Sequence, residues 1–159
     1  LIHEYDNLLV VQTLSKSRGL AGLRVGFAAG HKDLIAGLDR VKNSFNSYTL
    51  DRLAIACAEA SLKDEEYFRQ TVRKMMNTRE RIVPKMKEMG FQVLDSKANF
   101  IFATRPGTDA ASLFSYLKEQ GILVRYFKQP GIDQYLRISI GTDGEMDALL
   151  SAVSQFLSK

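Results

Sequence analysis

The chain has 159 residues, of which 45% are hydrophobic and 25% are charged, a composition typical of a globular protein with a sizeable core. Its 22 Lys and Arg residues are interleaved with 18 Asp and Glu residues, so the net charge of +4 indicates a mixed surface, and we expect no nucleic-acid partner. One cysteine, two widely spaced histidines and the lack of a long apolar run argue against a disulfide framework, a metal site and a membrane partner.

The first part of the chain predicts two short buried strands joined by a loop. The strands are residues 8–12 (LLVVQ) and 24–29 (RVGFAA), and the loop is TLSKSRGLAGL. A helix is predicted over residues 31–42, and the polar stretch NSFNSY at residues 43–48 suits a domain boundary. Because buried strands need neighbours and few candidates follow, we expect the sequence to begin inside a longer protein.

The middle of the chain predicts two helices. The first contains LDRLAIACAEASL, whose nearly continuous apolar face predicts a buried Cys57. The second follows Asp64, whose side chain can cap it, and ends at Gly90. An unpaired cysteine and the absence of a signal peptide predict a cytoplasmic location.

Residues 91–159 predict a compact α/β layer domain. The strands FQVLDS and NFIFAT precede the helix DAASLFSYLKEQG, and the strands ILVRYF and YLRISIG precede the helix DGEMDALLSAVSQFL. The predicted order is therefore β-β-α-β-β-α. In YLRISIG, Leu136 and Ile138 alternate with Arg137, so we expect Arg137 to point away from the core.

The loop TLSKSRGLAGL and the arginine after it combine groups that could hold an anion beside an amine. Taken alone, Lys16 would more often be a solvated surface lysine. However, Thr13 and Ser15 supply hydroxyls, the glycines let backbone N–H groups approach a ligand, and Arg24 offers a planar fork for phosphate oxygens. A neutral lysine amine attacks aldehydes, and an aldehyde and a phosphate on one small molecule describe pyridoxal phosphate.

The segment SKSRGLAGLRVG resembles the cofactor-lysine segment of fold-type I pyridoxal-phosphate aminotransferases. The resemblance implies that Lys16 binds the cofactor covalently and is the catalytic residue. It implies that Arg24, eight residues later, holds the cofactor phosphate, together with the hydroxyls of Ser15 and Thr13.

The C-terminal part resembles the same family. YLRISIGTDGEMDALL is similar to its last strand and helix, in particular those of the histidinol-phosphate aminotransferase subfamily. The resemblance implies that Arg137 binds the α-carboxylate of the substrate. It also implies that Arg125, in GILVR, reaches a distal phosphate of the substrate, and that Asn99, in ANFIF, faces the active site.

The resemblance covers essentially all 159 residues and implies that they are the C-terminal portion of such an enzyme. Residues 1–45 would end the large cofactor-binding domain, and residues 46–159 would form the small α/β domain. The implied activity is transamination of histidinol phosphate with 2-oxoglutarate and glutamate in histidine biosynthesis, by a homodimer that acts on small amino and oxo acids. The glycine-rich phosphate loop and ring-pairing aspartate of the family have no counterpart here, so we expect the chain alone to be inactive.

Other interpretations stay open. An aromatic amino-acid aminotransferase or a threonine-phosphate decarboxylase would keep the fold and change the substrate. An aminotransferase-like effector domain of a transcription regulator would bind the cofactor at the same lysine without turnover. An ordinary α/β domain with an accidental lysine loop is disfavoured by the match at both ends. Upstream sequence would decide, because a glycine-rich phosphate loop supports the enzyme and a helix-turn-helix supports the regulator.

Overall fold

The computed structural model describes residues 1–158, which have mixed α/β structure, as predicted. They divide into two compact units, and the boundary between Gln70 and Thr71 falls within one long helix. The predicted division into domains at residues 1–45 and 46–159 concerns a longer protein and stays a prediction. Within residues 1–158, no helix has the length and apolar character that are needed to cross a bilayer.

The first unit is built around an antiparallel pair of strands. In chain order its elements are β1 (Leu9–Thr13), α1 (Leu14–Ser17), β2 (Gly26–Gly30), α2 (Lys32–Phe45) and α3 (Arg52–Lys63), and α4 (Glu65–Glu88) begins in it. The register pairs Leu9 with Gly30 and Thr13 with Gly26. The connection of residues 14–25 therefore lies at one end of the strand pair, and it contains α1 and a 3₁₀ turn.

Both strands of this unit are largely exposed, so the prediction of buried strands was wrong. The side chain of Val11 is 70% exposed and that of Phe27 is 49% exposed. The reason is that β1 and β2 pair only with each other within the described part of the chain. An apolar sequence pattern indicates what a strand can bury, whereas burial requires a neighbouring layer.

The buried core of the first unit is small and joins the connection of residues 14–25 to α3. It consists of Leu14, Val25, Ala54 and Ala58. Cys57 is exposed, which corrects the prediction that it is buried. Only the narrow stripe of α3 that carries the two alanines faces the core, although the apolar pattern of this helix extends further round.

Aspartates cap three of the longer helices. The Asp51 carboxylate accepts a hydrogen bond from the Ala54 N–H (2.8 Å) at the start of α3. The Asp64 carboxylate accepts one from the N–H of Tyr67 (3.2 Å) at the start of α4, as predicted. Asp109 caps a helix of the second unit in the same way. Each cap satisfies a backbone donor that has no partner within its own helix.

The second unit contains a four-stranded antiparallel sheet with the order β3-β4-β6-β5. Its further elements are β3 (Gln92–Val93), β4 (Phe100–Thr104), α5 (Ala110–Glu119), β5 (Arg125–Tyr126), β6 (Leu136–Ser139) and α6 (Asp143–Leu157). The predicted order β-β-α-β-β-α is confirmed. The strands predicted in FQVLDS and ILVRYF are only two residues long in the structure, and both β3 and β5 lie at the edges of the sheet.

One face of this sheet is buried by helices, and the other face is more exposed. Inward residues alternate along the strands, so Ile101 and Ala103 of β4 lie beside Leu136 and Ile138 of β6 in the core. The largest fully buried side chains of this core are Ile82, Met86, Ile101, Leu113, Leu117, Leu149 and Val153. The alternate residues, including Arg137, therefore point to the opposite face, as predicted.

A hydrogen-bonded ion-pair network joins α4 to the start of α6. The Asp143 carboxylate accepts hydrogen bonds from the Thr78 hydroxyl (2.9 Å) and from the Arg81 guanidinium (3.0 Å). Arg81 also pairs with Asp147. The hydrogen bond from Thr78, and then that from Arg81, hold the pKa of Asp143 below its usual value.

Replacing Asp143 by asparagine is expected to destabilise the chain more at neutral than at acidic pH. A carboxyl whose pKa is lower in the folded protein stabilises it fully above the unfolded value, about 3.9, and loses that contribution as pH falls through the folded pKa. Urea unfolding at about pH 6 and about pH 3 should therefore show a smaller effect at the lower pH.

The matched control is Glu119→Gln, since Glu119 is exposed and makes no ion pair within residues 1–158. Its effect on unfolding should be small at both pH values. An equal destabilisation by Asp143→Asn at both pH values would contradict the role that we assign to the charged form.

Candidate functional site

The residues predicted to bind the cofactor lie at the end of β1 and in the connection between β1 and β2. Thr13 ends β1 and pairs with Gly26 at the start of β2. Lys16 lies in the helical turn that follows Thr13, and Arg24 lies two residues before Gly26. The strand register therefore places the lysine and the arginine at the same end of the strand pair, as the sequence motif implies.

The hydroxyls of Thr13 and Ser15 form a pair at the start of α1. Thr13 Oγ1 donates to Ser15 Oγ (2.7 Å) and accepts a hydrogen bond from the Ser15 N–H (3.1 Å). Leu14 is buried between them, and its N–H donates to the carbonyl oxygen of Val25 (3.0 Å). The buried leucine fixes the turn and leaves both hydroxyls accessible.

The side chain of Lys16 is exposed. Within residues 1–158 its amine makes no hydrogen bond and no ion pair. Most surface lysines are also free in this way, so accessibility alone does not distinguish a catalytic lysine. The distinguishing feature is that residues next to Lys16 carry hydroxyls and that the same connection carries a guanidinium.

Arg24 has a backbone conformation that is unusual for its type. Its φ of 55° lies in the left-handed region, and within residues 1–158 it is the only non-glycine residue with positive φ. For a residue with a bulky side chain this conformation costs about 1–2 kcal/mol. Its Nη1 donates to the Ala21 carbonyl oxygen (3.1 Å), which leaves most of its five N–H donors available. Glycine would adopt the same backbone without strain, so the guanidinium is what an arginine adds here.

These groups fit a small molecule that carries an aldehyde and a phosphate. The lysine amine suits the aldehyde, and two hydroxyls and a guanidinium suit phosphate oxygens. Beside them, a Cβ added to Gly22 would meet no atom within 4 Å, so the backbone there adjoins open space. The donor set of residues 13–24 therefore matches the chemistry of pyridoxal phosphate.

Arg18 anchors this connection, a role that the sequence reasoning missed. Its guanidinium donates to the Ser61 carbonyl oxygen (2.7 Å) and to Glu65 Oε2 (2.9 Å), and it lies 3.8 Å from the ring centroid of Phe68. The side chain is only 9% exposed. The hydrogen bond from Arg18 is the main cause that lowers the pKa of Glu65. No local pattern could reveal this role, because these partners are more than 40 residues away along the chain.

In the second unit, the structure brings Arg125 and Arg137 directly opposite each other in the β5–β6 pair. Both side chains are exposed, and neither has a carboxylate partner within 4 Å in the described residues. Like charges in directly opposed positions destabilise a sheet. An anion bound between them would remove this repulsion, so the pair is a candidate anion site.

Asn99, the third residue that the resemblance assigns to the substrate, precedes β4 in a hydrogen-bonded loop. Its carbonyl oxygen accepts from the Ile140 N–H (2.9 Å), which ties the loop to the end of β6. Arg79, a buried residue of α4 that sequence reasoning missed, donates to the Ala98 carbonyl oxygen (2.7 Å). Ser96 Oγ donates to the Phe100 carbonyl oxygen (2.6 Å). The backbone on both sides of Asn99 is therefore held in place.

Comparison with known families and proteins identifies the family of this chain. The family model for aminotransferase class I and II matches residues 1–153. Histidinol-phosphate aminotransferase 2 of Dechloromonas aromatica is 59% identical over 155 residues, which are 98% of this chain and 44% of that protein. The chain thus spans less than half the length of the curated relatives that it matches.

Solved structures show the same likeness. The histidinol-phosphate aminotransferase of Sinorhizobium meliloti, in complex with pyridoxal-5'-phosphate, is 29% identical with a TM-score of 0.81, over 94% of this chain and 41% of that one. The L-threonine-O-3-phosphate decarboxylase of Porphyromonas gingivalis is 26% identical with a TM-score of 0.83. This match covers 99% of this chain and 49% of that protein. The family match covers nearly the whole chain. The chain belongs to the class I and II aminotransferases, a family of pyridoxal-phosphate-dependent enzymes.

Proposed function

We propose that the protein containing this chain is a histidinol-phosphate aminotransferase. Such an enzyme transfers the amino group of histidinol phosphate to 2-oxoglutarate to give glutamate, and it also catalyses the reverse reaction. The observation that carries the proposal is the opposed pair of Arg125 and Arg137 without a carboxylate partner in the described residues. A phosphate monoester has two negative charges, and 2-oxoglutarate has two carboxylates. The pair of guanidinium groups therefore suits the phosphate of histidinol phosphate, and Arg137 alone suits one carboxylate of 2-oxoglutarate.

Each candidate residue has a separate task in this proposal. When bound, pyridoxal phosphate supplies an electron sink for the substrate α-carbon. Lys16 would hold the cofactor and then carry the proton of the α-carbon as general base and acid. Arg24, Ser15 and Thr13 would hold the cofactor phosphate. Arg137 and Arg125 would bind the anionic groups of the substrate, and Asn99 would face the active site beside them.

The proposal includes the location, the assembly and the pathway that the resemblance implies. The protein would be a cytoplasmic homodimer, would act in histidine biosynthesis on small amino and oxo acids, and would need no nucleic-acid or membrane partner. Names of relatives at 55–59% identity support this activity. The residues of the site support it independently through their chemistry.

A substrate comparison on the full-length protein tests the proposal. With cofactor and 2-oxoglutarate present, we expect glutamate formation from histidinol phosphate with a higher kcat/KM than from phenylalanine. A dominant activity on phenylalanine would support an aromatic amino-acid aminotransferase. Release of carbon dioxide from threonine phosphate, without transamination, would support a decarboxylase. Cofactor binding without either reaction would support an effector domain.

Replacing Arg24 by lysine is expected to weaken cofactor binding about tenfold in the full-length protein, because a lysine keeps the charge but loses the planar two-point fork. Titration with pyridoxal phosphate, followed by absorbance, measures this change. Arg40→Lys, on the exposed surface of α2, is the matched control and should have no effect. Unchanged affinity for Arg24→Lys would place the phosphate elsewhere.

A further inference from the structure

The two opposed arginines of the second unit carry like charges that repel each other. Arg125 and Arg137 are cross-strand neighbours, and no carboxylate within residues 1–158 lies within 4 Å of either. Two exposed guanidinium groups would ordinarily turn apart into solvent, because their charges repel and their side chains are flexible. The strand register places both side chains on the same face of the sheet, and a further contact is needed to keep the two guanidinium groups close together there.

The ring of Phe127 supplies that contact. The guanidinium carbon of Arg125 lies 5.5 Å from its ring centroid, and that of Arg137 lies 5.6 Å from it. Both distances are within the range of attraction between a cation and an aromatic ring, about 6 Å. Arg137 is additionally 5.3 Å from the ring centroid of Phe100. Phe127 is therefore the neighbour that the two arginines share.

The Phe127 ring is itself held by a row of aromatic side chains. It contacts Phe102 edge to face, with ring centroids 6.2 Å apart and planes at 72°. Phe102 is stacked on Tyr135 at 4.6 Å, and it is the cross-strand partner of Arg137 in the β4–β6 pair. The aromatic row is thus built on the sheet, and this gives Phe127 a fixed orientation toward both arginines.

We infer that Phe127 is a positioning residue that holds Arg125 and Arg137 in a spacing suited to one phosphate monoester ligand. It touches the guanidinium groups and not the reacting atoms, so it acts on substrate choice through the arginines. The inference rests on the proposed function for the identity of its ligand. Without the ring, each arginine would have to be ordered by the anion itself, and this ordering would weaken binding.

The test is an NMR titration of this chain with inorganic phosphate, in which the side-chain Nε–H signals of Arg125 and Arg137 are followed separately from that of Arg24. In the unaltered chain both signals should shift with one common Kd. Phe127→Leu should weaken that Kd about five- to tenfold or give the two arginines different Kd values. Phe127→Tyr keeps the ring and should stay within about twofold of the unaltered chain.

Phe156→Leu is the matched control, because it removes a ring that contacts Tyr116 and not the arginines. It should leave the phosphate titration unchanged. The inference is overturned if Phe127→Leu binds phosphate as tightly as the unaltered chain, or if Phe127→Tyr loses as much affinity as Phe127→Leu. It is also overturned if neither arginine signal responds. None of these outcomes depends on transamination, so failure here is distinguishable from failure of the proposed function.

Discussion

Replacing Lys16 by arginine in the full-length enzyme is expected to lower kcat for transamination by roughly 10³-fold or more. Arginine keeps the positive charge beside the phosphate-binding groups, but it is not deprotonated in proteins. It therefore cannot attack the aldehyde of the cofactor or accept a proton from the substrate. The reason to assign this task to Lys16 is that the neighbouring residues carry two hydroxyls and a guanidinium, which suit the phosphate of the cofactor.

Two measurements check the assignment of Lys16. The first is kcat for histidinol phosphate, with Lys32→Arg as the control, because Lys32 is an exposed lysine at the start of α2. The second is borohydride reduction of the full-length protein with its cofactor, followed by peptide mapping. If the kcat of Lys16→Arg is lowered by less than about tenfold, the assignment is contradicted. A label on a different lysine would have the same consequence.

Replacing Arg137 by alanine is expected to lower kcat/KM for every amino acid substrate of the full-length enzyme. A two-point salt bridge between a guanidinium and a carboxylate in a partly dry cleft contributes on the order of 2–4 kcal/mol, which corresponds to roughly 30- to 1000-fold. Arg137 points away from the core, and its strand is held on both sides by β4 and β5. Its removal should therefore affect binding much more than folding.

The matching change in Arg125 should separate substrates by class. Because the resemblance assigns Arg125 to a phosphate of the substrate, Arg125→Ala should hurt phosphorylated substrates far more than unphosphorylated ones. Arg73→Ala, on the exposed surface of α4, is the control and should leave both classes unchanged. Equal losses in both classes for Arg125→Ala would argue against this division of tasks, and so would a small loss for Arg137→Ala.

The residue pattern alone predicts the order of elements in the second unit and groups the candidate cofactor-binding residues of the first. The alternation of Leu136 and Ile138 with Arg137 predicted which side chains enter the core, because successive side chains of a strand point to opposite faces. Asp64 predicted the start of α4, because a helix cap involves only neighbouring residues. Lys16 and Arg24 could be grouped because a single connection carries both.

Contacts between residues that are distant along the chain could not be read from local patterns. The β5–β6 register places Arg125 opposite Arg137, and one ring, that of Phe127, lies near both. Long-range contacts bury Arg18, and β1 and β2 are exposed because no further strand lies beside them within residues 1–158. Strand register and burial depend on partners far away along the chain, so local spacing and hydrophobicity carry little information about them.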